Sequence, residues 1–234
     1  LKYIEQYRVT AAQMVPTMFV RLLKLDDAVR HRYDLASLRV LIHAAAPCPV
    51  DVKAAMISWL GPVVYEYYSS TEAHGMTFIS SPEWLAHPGS VGRSVLGVLH
   101  ICDDDGNELP TGEIGTVYFE RDALPFEYHN DTDKTSQAQH PAHPTWTTVG
   151  DLGSVDADGY LYLADRKSFM IISGGVNIYP QEVENTLALH PAVHDVAVIG
   201  VPHPEMGEEV KAVVQLSAGV VETDSLAGEL IDYV

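Results

Sequence analysis

Positively charged side chains are scarce in this sequence. Fourteen lysines and arginines stand against 32 aspartates and glutamates, so the formal net charge is −18 over 234 residues. Binding to nucleic acid or to an anionic membrane surface requires clustered cations. The composition therefore argues against both kinds of partner.

Long apolar runs and cysteines are also few. No run approaches the roughly 20 apolar residues that span a bilayer, and no signal-peptide pattern is present. We therefore expect no transmembrane segment and a cytoplasmic protein. The two cysteines, Cys48 and Cys102, lie in apolar surroundings without the spacing of a metal or redox motif. We interpret them as buried free thiols in a reducing compartment.

What is present is enough apolar sequence for a large core, 47% of all residues. Apolar strands are predicted at 38–43 and 63–68, with a helix at 49–60 between them. A strand–loop–helix unit of this kind is typical of a parallel sheet, whose ligands bind at the carboxyl ends of the strands. From residue 89 the pattern changes to strands separated by turns. We therefore expect an α/β fold with a β-rich second part.

Further elements follow from local signals. Residues 9–15 predict a strand, and Thr17 is expected to cap a helix at 18–24. The aperiodic segment 122–145 predicts a surface loop. After Pro180, a residue favoured in the first turn of a helix, the pattern predicts a helix at 181–189, a buried strand at 196–201, a loop at 202–209 and a strand at 210–216. Both ends of the chain have a helical pattern and there is no initial Met, so we interpret the chain as a fragment of a longer enzyme.

The region 146–184 has the densest turn signals of the chain. The motifs there, in order, are TVGDL at 148–152, DADGY at 156–160, DR at 165–166, IISGG at 171–175 and PQEVE at 180–184. DADGY predicts a hairpin turn, since Asp-Gly supplies the positive φ of a tight turn. In this order and spacing the motifs resemble those of the adenylate-forming superfamily of acyl-CoA synthetases, peptide-synthetase adenylation domains and luciferases. The sequence looks most like the fatty-acid-type acyl-CoA ligases.

The resemblance implies a domain organisation. Residues 1–165 would be the C-terminal part of the AMP-binding large domain, with a small distorted β-barrel at about 89–165. Residues 166–168 would be a hinge centred on Ser168. Residues 169–234 would be the first half of a small α+β mobile domain.

The resemblance also implies a nucleotide site for ATP and AMP. A loop would lie along the adenine, Tyr68 and Ser69 would adjoin the base, Asp151 would accept bonds from the ribose hydroxyls, and Arg166 would reach the ribose or phosphates. The loop consists of Ala44, Ala45, Ala46 and Pro47, where the family has more glycine. An ordinary ion pair at a strand end is the alternative interpretation of Asp151 and Arg166.

The reacting groups are implied in the same way. Thr71 would bond to phosphate and Glu72 would hold Mg²⁺; a helix-capping segment is the alternative. Met18, Phe19, His74 and Gly75 would line the acyl pocket, and core packing is the alternative for Met18 and Phe19. Gly174 and Gly175 would lie on a strand lining the coenzyme A tunnel.

Two features of the family are absent from the sequence. It has no Gly/Ser/Thr-rich phosphate loop, and the only lysine after Lys167 is Lys211, in a predicted strand. The resemblance implies a parent protein that joins a small carboxylic acid to coenzyme A with ATP. Because the two features are absent, we expect this chain alone to be inactive.

Three alternatives remain beside an acyl-CoA synthetase. The first is a truncated paralogue that binds a nucleotide or a partner without turnover. The second is a generic α/β domain without a site, and the third is a relative of the luciferases. Self-association is a further open alternative, because the sequence does not determine the oligomeric state.

Overall fold

The computed structural model describes residues 1–234, except for the side chain of Asp224. The chain divides into two compact units, residues 1–163 and 164–234.

The first unit contains a five-stranded sheet in the order β1-β2-β3-β4-β5. Its strands are β1 (Ala11–Met14), β2 (Val40–His43), β3 (Val64–Ser69), β4 (Met76–Ser80) and β5 (Arg93–Leu96). The first three strands are parallel, as the sequence predicts, whereas β4 and β5 run antiparallel. The loops after β2 and β3 therefore lie at the same edge of the sheet.

Helices of this unit pack against the sheet and against one another. They are α1 (Lys2–Tyr7), α2 (Pro16–Leu23), α3 (Asp27–Arg30), α4 (Val50–Leu60) and α5 (Ser81–Ala86). Phe19 of α2 and Met56 of α4 are fully buried, as are Leu41 and Val64 of the strands. The prediction that Thr17 caps α2 is wrong. The helix begins at Pro16 with Val15 as its N-cap, because the first helical position needs no backbone N–H.

A second sheet follows in the order β10-β9-β7-β6, with β8 paired to β7. Its strands are β6 (Val98–Cys102), β7 (Gly115–Glu120), β8 (Trp146–Thr147), β9 (Asp151–Val155) and β10 (Leu161–Arg166). Val117, Phe119 and Leu161 form the centre of its core. The β-rich region expected at about 89–165 is present. Among the described residues the path of paired strands ends at β6 and β10, so the small distorted β-barrel that the resemblance implies is not closed. Leu161 of β10 makes one further bridge, to Gly92.

The segment 122–145 differs from the predicted surface loop. It contains the helix α6 (Thr132–Gln137), and His140 is buried. The Nε2–H of His140 donates to the carbonyl of Gly106 at 2.8 Å, and its Nδ1 accepts from the backbone N–H of Ala142 at 3.1 Å. His140 therefore fastens this segment to the turn at 103–107, with both ring nitrogens hydrogen-bonded within the chain.

The second unit has a four-stranded sheet in the order β12-β11-β14-β13. Its elements are β11 (Ile171–Ser173), β12 (Val176–Ile178), α7 (Pro180–Leu187), β13 (Val193–His203), β14 (Gly207–Leu216) and α8 (Asp224–Tyr233). Pro180 opens α7 as predicted. The long strands β13 and β14 reduce the predicted loop 202–209 to residues 204–206. The strand expected to be buried at 196–201 is buried only at Val198, because helix α7 packs on one face and Ile199 of the other face is exposed.

No helix among the described residues combines the length and the apolar character that crossing a membrane requires.

Candidate functional site

The candidate site lies where the parallel strands β2 and β3 end. His43, the last residue of β2, is the register partner of Glu66 in β3. The loop 44–47 therefore begins at the same edge of the sheet as Tyr68 and Ser69, the last two residues of β3. This edge is where parallel α/β sheets bind ligands.

The loop after β2 contains a backbone outlier. Ala45 has φ +75°, a left-handed conformation that costs an alanine about 1–2 kcal/mol relative to the usual regions. Ala44 is buried, while Ala45, Ala46 and Pro47 are exposed. The family resemblance suggested glycine for this position; alanine adopts the same conformation here at an energetic cost.

Tyr68 and Asp151 are brought into direct contact. The hydroxyl of Tyr68 donates to Oδ2 of Asp151 at 2.6 Å, although the two residues are 83 positions apart. Asp151 is the first residue of β9 and is buried. The Tyr68 ring lies 6.3 Å from the ring of Phe119 in β7. The contact joins the first sheet to the second, and it unites two residues that the sequence assigned to one nucleotide site.

The segment 70–75 is not a helix cap. It forms a turn and continues into β4, so the capping interpretation of Thr71 and Glu72 is wrong. Thr71 is exposed at the turn. The hydroxyl of Ser69 donates to the carbonyl of Gly75 at 2.7 Å, so a hydrogen bond joins the two ends of the turn.

Glu72 is held by a residue that sequence reasoning missed. The hydroxyl of Tyr128 donates to Oε1 of Glu72 at 2.8 Å. Burial by itself would raise the pKa of Glu72, but this hydrogen bond and further hydrogen bonds outweigh burial and lower the pKa. Burial and the bond to Glu72 raise the pKa of Tyr128 to about 12, so its hydroxyl keeps its proton. Tyr128 lies in an aperiodic segment, where no sequence signal pointed to it.

An ionised Glu72 suits Mg²⁺, which prefers hard oxygen ligands and is often held by one or two carboxylates together with substrate phosphates and water. Among the described residues, no group of three His, Cys, Asp or Glu side chains converges to hold a metal ion.

His74 is fully buried beside Glu72. Its Nδ1 lies 2.8 Å from the hydroxyl of Ser70, its Nε2 has no hydrogen-bond partner, and its ring meets that of Phe119 edge-on at 5.0 Å. Burial lowers the pKa of His74 to about 4 against the opposing charges of Asp151 and Glu72. At neutral pH the ring is therefore uncharged.

Gly75 is required by packing. A Cβ at this position would lie 2.0 Å from Cγ of Phe119. Of the other residues assigned to the acyl pocket, Phe19 is fully buried with its ring 5.2 Å from that of His43, and Met18 is 48% exposed. The contacts of Phe19 are those of a core residue, which was the alternative interpretation.

In the second unit, Arg166 and Ser168 are exposed at and after the end of β10. Gly174 and Gly175 do not lie on a strand, as the sequence analysis expected. They form the two-residue turn between β11 and β12, with φ +58° and +83°. The turn conformation with two positive φ values matches strand twist and is the reason glycine is needed there.

A surface cavity of the first unit lies elsewhere. It has a volume of about 370 Å³, is lined by Arg30, His31, Tyr33 and Trp59 among others, and shares no residue with the candidate site.

Comparison with known proteins identifies relatives over both units. Residues 1–128 match the family profile "AMP-binding enzyme", and residues 182–234 match "AMP-binding enzyme C-terminal domain". A medium/long-chain-fatty-acid–CoA ligase, FadD8 of Mycobacterium tuberculosis, is 34% identical over 227 residues, which are 96% of this chain and 39% of that protein. A feruloyl-CoA synthase of Amycolatopsis is 36% identical over 219 residues, which are 92% of this chain and 43% of that protein.

Solved structures of CoA ligases are similar to this chain as well. The anthranilate CoA ligase AuaEII, in complex with anthranoyl-AMP, matches with a TM-score of 0.79 and 31% identity over 98% of this chain and 44% of its own. The o-succinylbenzoate CoA synthetase MenE of Bacillus subtilis, in complex with OSB-AMP, matches with a TM-score of 0.80 and 29% identity over 99% of this chain and 45% of its own. The chain thus spans less than half the length of these relatives.

Proposed function

From the premise that this chain belongs to the family of AMP-binding enzymes, we propose that it is the part of an ATP-dependent acyl-CoA synthetase that holds the adenosine of ATP. The parent enzyme would convert a carboxylic acid and ATP to an acyl-AMP and pyrophosphate. The thiolate of coenzyme A would then attack the acyl carbon and release AMP. The observation that carries this proposal is the bond between Tyr68 and Asp151 at the edge where β2 and β3 end.

The adenosine contacts follow from the geometry. The base would lie between the loop 44–47 and the ring of Tyr68. Asp151 would accept hydrogen bonds from the ribose hydroxyls. A carboxylate has about four lone-pair positions, so one that accepts a hydrogen bond from a tyrosine can accept others as well. The Tyr68 hydroxyl would orient the carboxylate before the nucleotide binds, which reduces the conformational entropy that the side chain loses on binding.

The phosphate contacts would follow from the turn after β3. Thr71, which is exposed, would donate its hydroxyl to a phosphate oxygen. Glu72 would ligate Mg²⁺, kept ionised for this purpose by Tyr128. The cation would neutralise charge that builds up on the phosphates during adenylation. His74, uncharged and buried, and Gly75 would border the acyl group, with Met18 and Phe19 as further candidates for its wall.

The remaining assignments extend the proposal to residues 164–234. Residues 166–168 would act as a hinge, with Arg166 reaching the ribose or phosphates and Ser168 taking up the change in backbone angles. Gly174 and Gly175 would let the turn between β11 and β12 approach coenzyme A closely. We place the parent enzyme in the cytoplasm, where its three small substrates are available.

The chain by itself should bind a nucleotide without turning it over. It carries no Gly/Ser/Thr-rich loop and no late lysine for the α-phosphate. Its adenine, ribose and Mg²⁺ contacts would be in place without the main phosphate contacts. A module that binds a nucleotide without catalysis would give the same result, and the full-length parent separates the two by its CoA-ligase activity.

The test is isothermal titration calorimetry of the chain with AMP and with Mg²⁺-ATP. Asp151→Asn should weaken AMP binding roughly tenfold or more, because hydrogen bonds to a charged group are lost. Asp158→Asn is the matched control, since it removes the same charge at an exposed turn of the same hairpin. Equal affinity of wild type and Asp151→Asn would refute the ribose role.

A further inference from the structure

Two side chains from neighbouring elements of the first unit converge on one buried carboxylate. Glu66, in the middle of β3, is 5% exposed. Its Oε2 lies 2.5 Å from Nζ of Lys53, near the start of α4, and 3.6 Å from Nε2 of His43, the last residue of β2. We call Glu66, Lys53 and His43 the Glu66 cluster.

The Glu66 cluster is buried at a cost. Burial raises the pKa of Glu66 and lowers that of Lys53, and each charge partly offsets the effect on the other. Burial, together with the charge of Lys53, lowers the pKa of His43 to about 3, and neither ring nitrogen of His43 has a hydrogen-bond partner. Replacing a buried ion pair by apolar residues of similar volume is often neutral or stabilising. Stability alone therefore does not explain why this pair is present.

The position of the cluster suggests a different role. His43 and Lys53 stand on either side of the segment 44–49. The carboxylate of Glu66 pairs with Lys53 after this segment and lies against the uncharged ring of His43 before it. The loop contains the strained Ala45, and strain of this kind persists only where the surroundings hold it. Glu66 also precedes Tyr68 by two positions, so both side chains lie on one face of β3.

We propose that the Glu66 cluster positions the loop 44–47 against Tyr68, and that Lys53 and Glu66 are thereby positioning residues for the base of the nucleotide. This inference rests on the proposed function. Through its pair with Lys53 the carboxylate holds the start of α4, the helix that follows the loop, and through the backbone of β3 it is tied to Tyr68. A shift of the carboxylate changes the gap between the loop and Tyr68.

The test is the double variant Lys53→Met/Glu66→Leu, which removes both charges and roughly conserves volume. Its thermal midpoint should stay close to that of the wild type. Its affinity for AMP should fall about tenfold, because small misplacements in a binding site are expensive. Its preference for AMP over GMP should fall as well, since the loop faces the base. Met56→Leu, a fully buried substitution in the same helix, is the control and should change neither quantity.

The outcomes separate this inference from the proposed function. A double variant that is as stable as the wild type and binds AMP with the same affinity and base preference overturns the positioning role. If the double variant does not fold, Glu66→Gln, which keeps an acceptor for Lys53, is measured in its place with the same readouts. If the wild-type chain itself does not bind AMP, the nucleotide proposal fails for this chain. NMR order parameters of the amides at 44–46 then decide the positioning role: a drop in the variant supports it and no change overturns it.

Discussion

The hydroxyl of Tyr128 donates to the carboxylate of Glu72 across 56 positions of the sequence, at 2.8 Å. This bond ties the aperiodic segment that contains Tyr128 to the turn after β3. It also lowers the pKa of Glu72, the carboxylate of that turn, and so favours its ionised form. The first prediction follows from it.

Tyr128→Phe should raise the pKa of Glu72, because a hydrogen bond that favours the ionised form is removed and burial, which opposes ionisation, remains. Since the folded-state pKa of Glu72 is depressed, its contribution to stability is present above the unfolded value and is lost as pH falls through the folded value. The variant should therefore lose less stability as the pH falls below about 4.5, the usual pKa of a glutamate. Carbon-detected NMR titration of the Glu72 carboxyl measures the shift. A pKa unchanged from the wild type would contradict the assignment.

Tyr68→Phe tests the contact with Asp151. Loss of the hydroxyl leaves the buried carboxylate of Asp151 less well oriented. We therefore expect AMP affinity to fall about three- to tenfold, within the usual range for one hydrogen bond. Tyr67→Phe is the matched control. Tyr67 lies on the opposite face of β3, where its hydroxyl accepts from Gln13 at 3.3 Å. Calorimetry with AMP should separate the two variants, and equal effects would count against a role for Asp151.

His74 predicts a dependence of stability on pH. Its pKa is lowered from 6.5 to about 4 in the folded chain, so the unfolded chain binds more protons between these values. Stability is thus fully present above pH 6.5 and falls as pH drops towards 4, by roughly 3 kcal/mol at 1.36 kcal/mol per unit. His74→Gln should remove this part of the dependence. Urea unfolding at several pH values measures it, and parallel curves for wild type and variant would contradict the prediction.

The effect on stability of a substitution in the turn between β11 and β12 should depend on the backbone conformation of the substituted residue. Gly175→Ala has free space around its Cβ but places alanine at φ +83°, so we expect a loss of about 1–2 kcal/mol. Gly175→Asn should cost less, because Asn tolerates this region. Gly228→Ala, in α8 with nothing within 4 Å of the new Cβ, should instead stabilise by up to about 1 kcal/mol. Thermal unfolding tests the order, and an Ala variant as stable as the wild type at 175 would refute it.

The prediction from sequence succeeded where local signals determine structure. The strands at β2 and β3, the helix between them and the helix after Pro180 follow from periodicity and from proline chemistry. The family follows from five short motifs in order. Predicted boundaries erred where tertiary pairing extends an element: β13 and β14 pair along nearly their whole length and absorb most of the loop expected between them.

The rest of the site depends on contacts between distant positions. Nothing near Tyr128 in the sequence points to Glu72, and nothing near Lys53 distinguishes it from an exposed helical lysine until Glu66 is placed opposite. The motif at 171–175 was expected to place Gly174 and Gly175 on a strand. Glycine fits a tight turn as well as a strand, and the turn is what forms. The roles of Asp151, Arg166 and the coenzyme A contacts remain predictions.

The bond between Tyr68 and Asp151 also has a consequence for the order in which the protein matures. Chains are made at about 5–20 residues per second, so Asp151 leaves the ribosome roughly 4 to 17 seconds after Tyr68. Lys53 and Glu66 are only 13 positions apart and emerge almost together. In a nascent chain the Glu66 cluster is therefore synthesised well before Asp151, the carboxylate that would bind a ribose. During that interval Tyr68 has no Asp151 to meet, and the growing polypeptide has no means of retaining AMP by this contact.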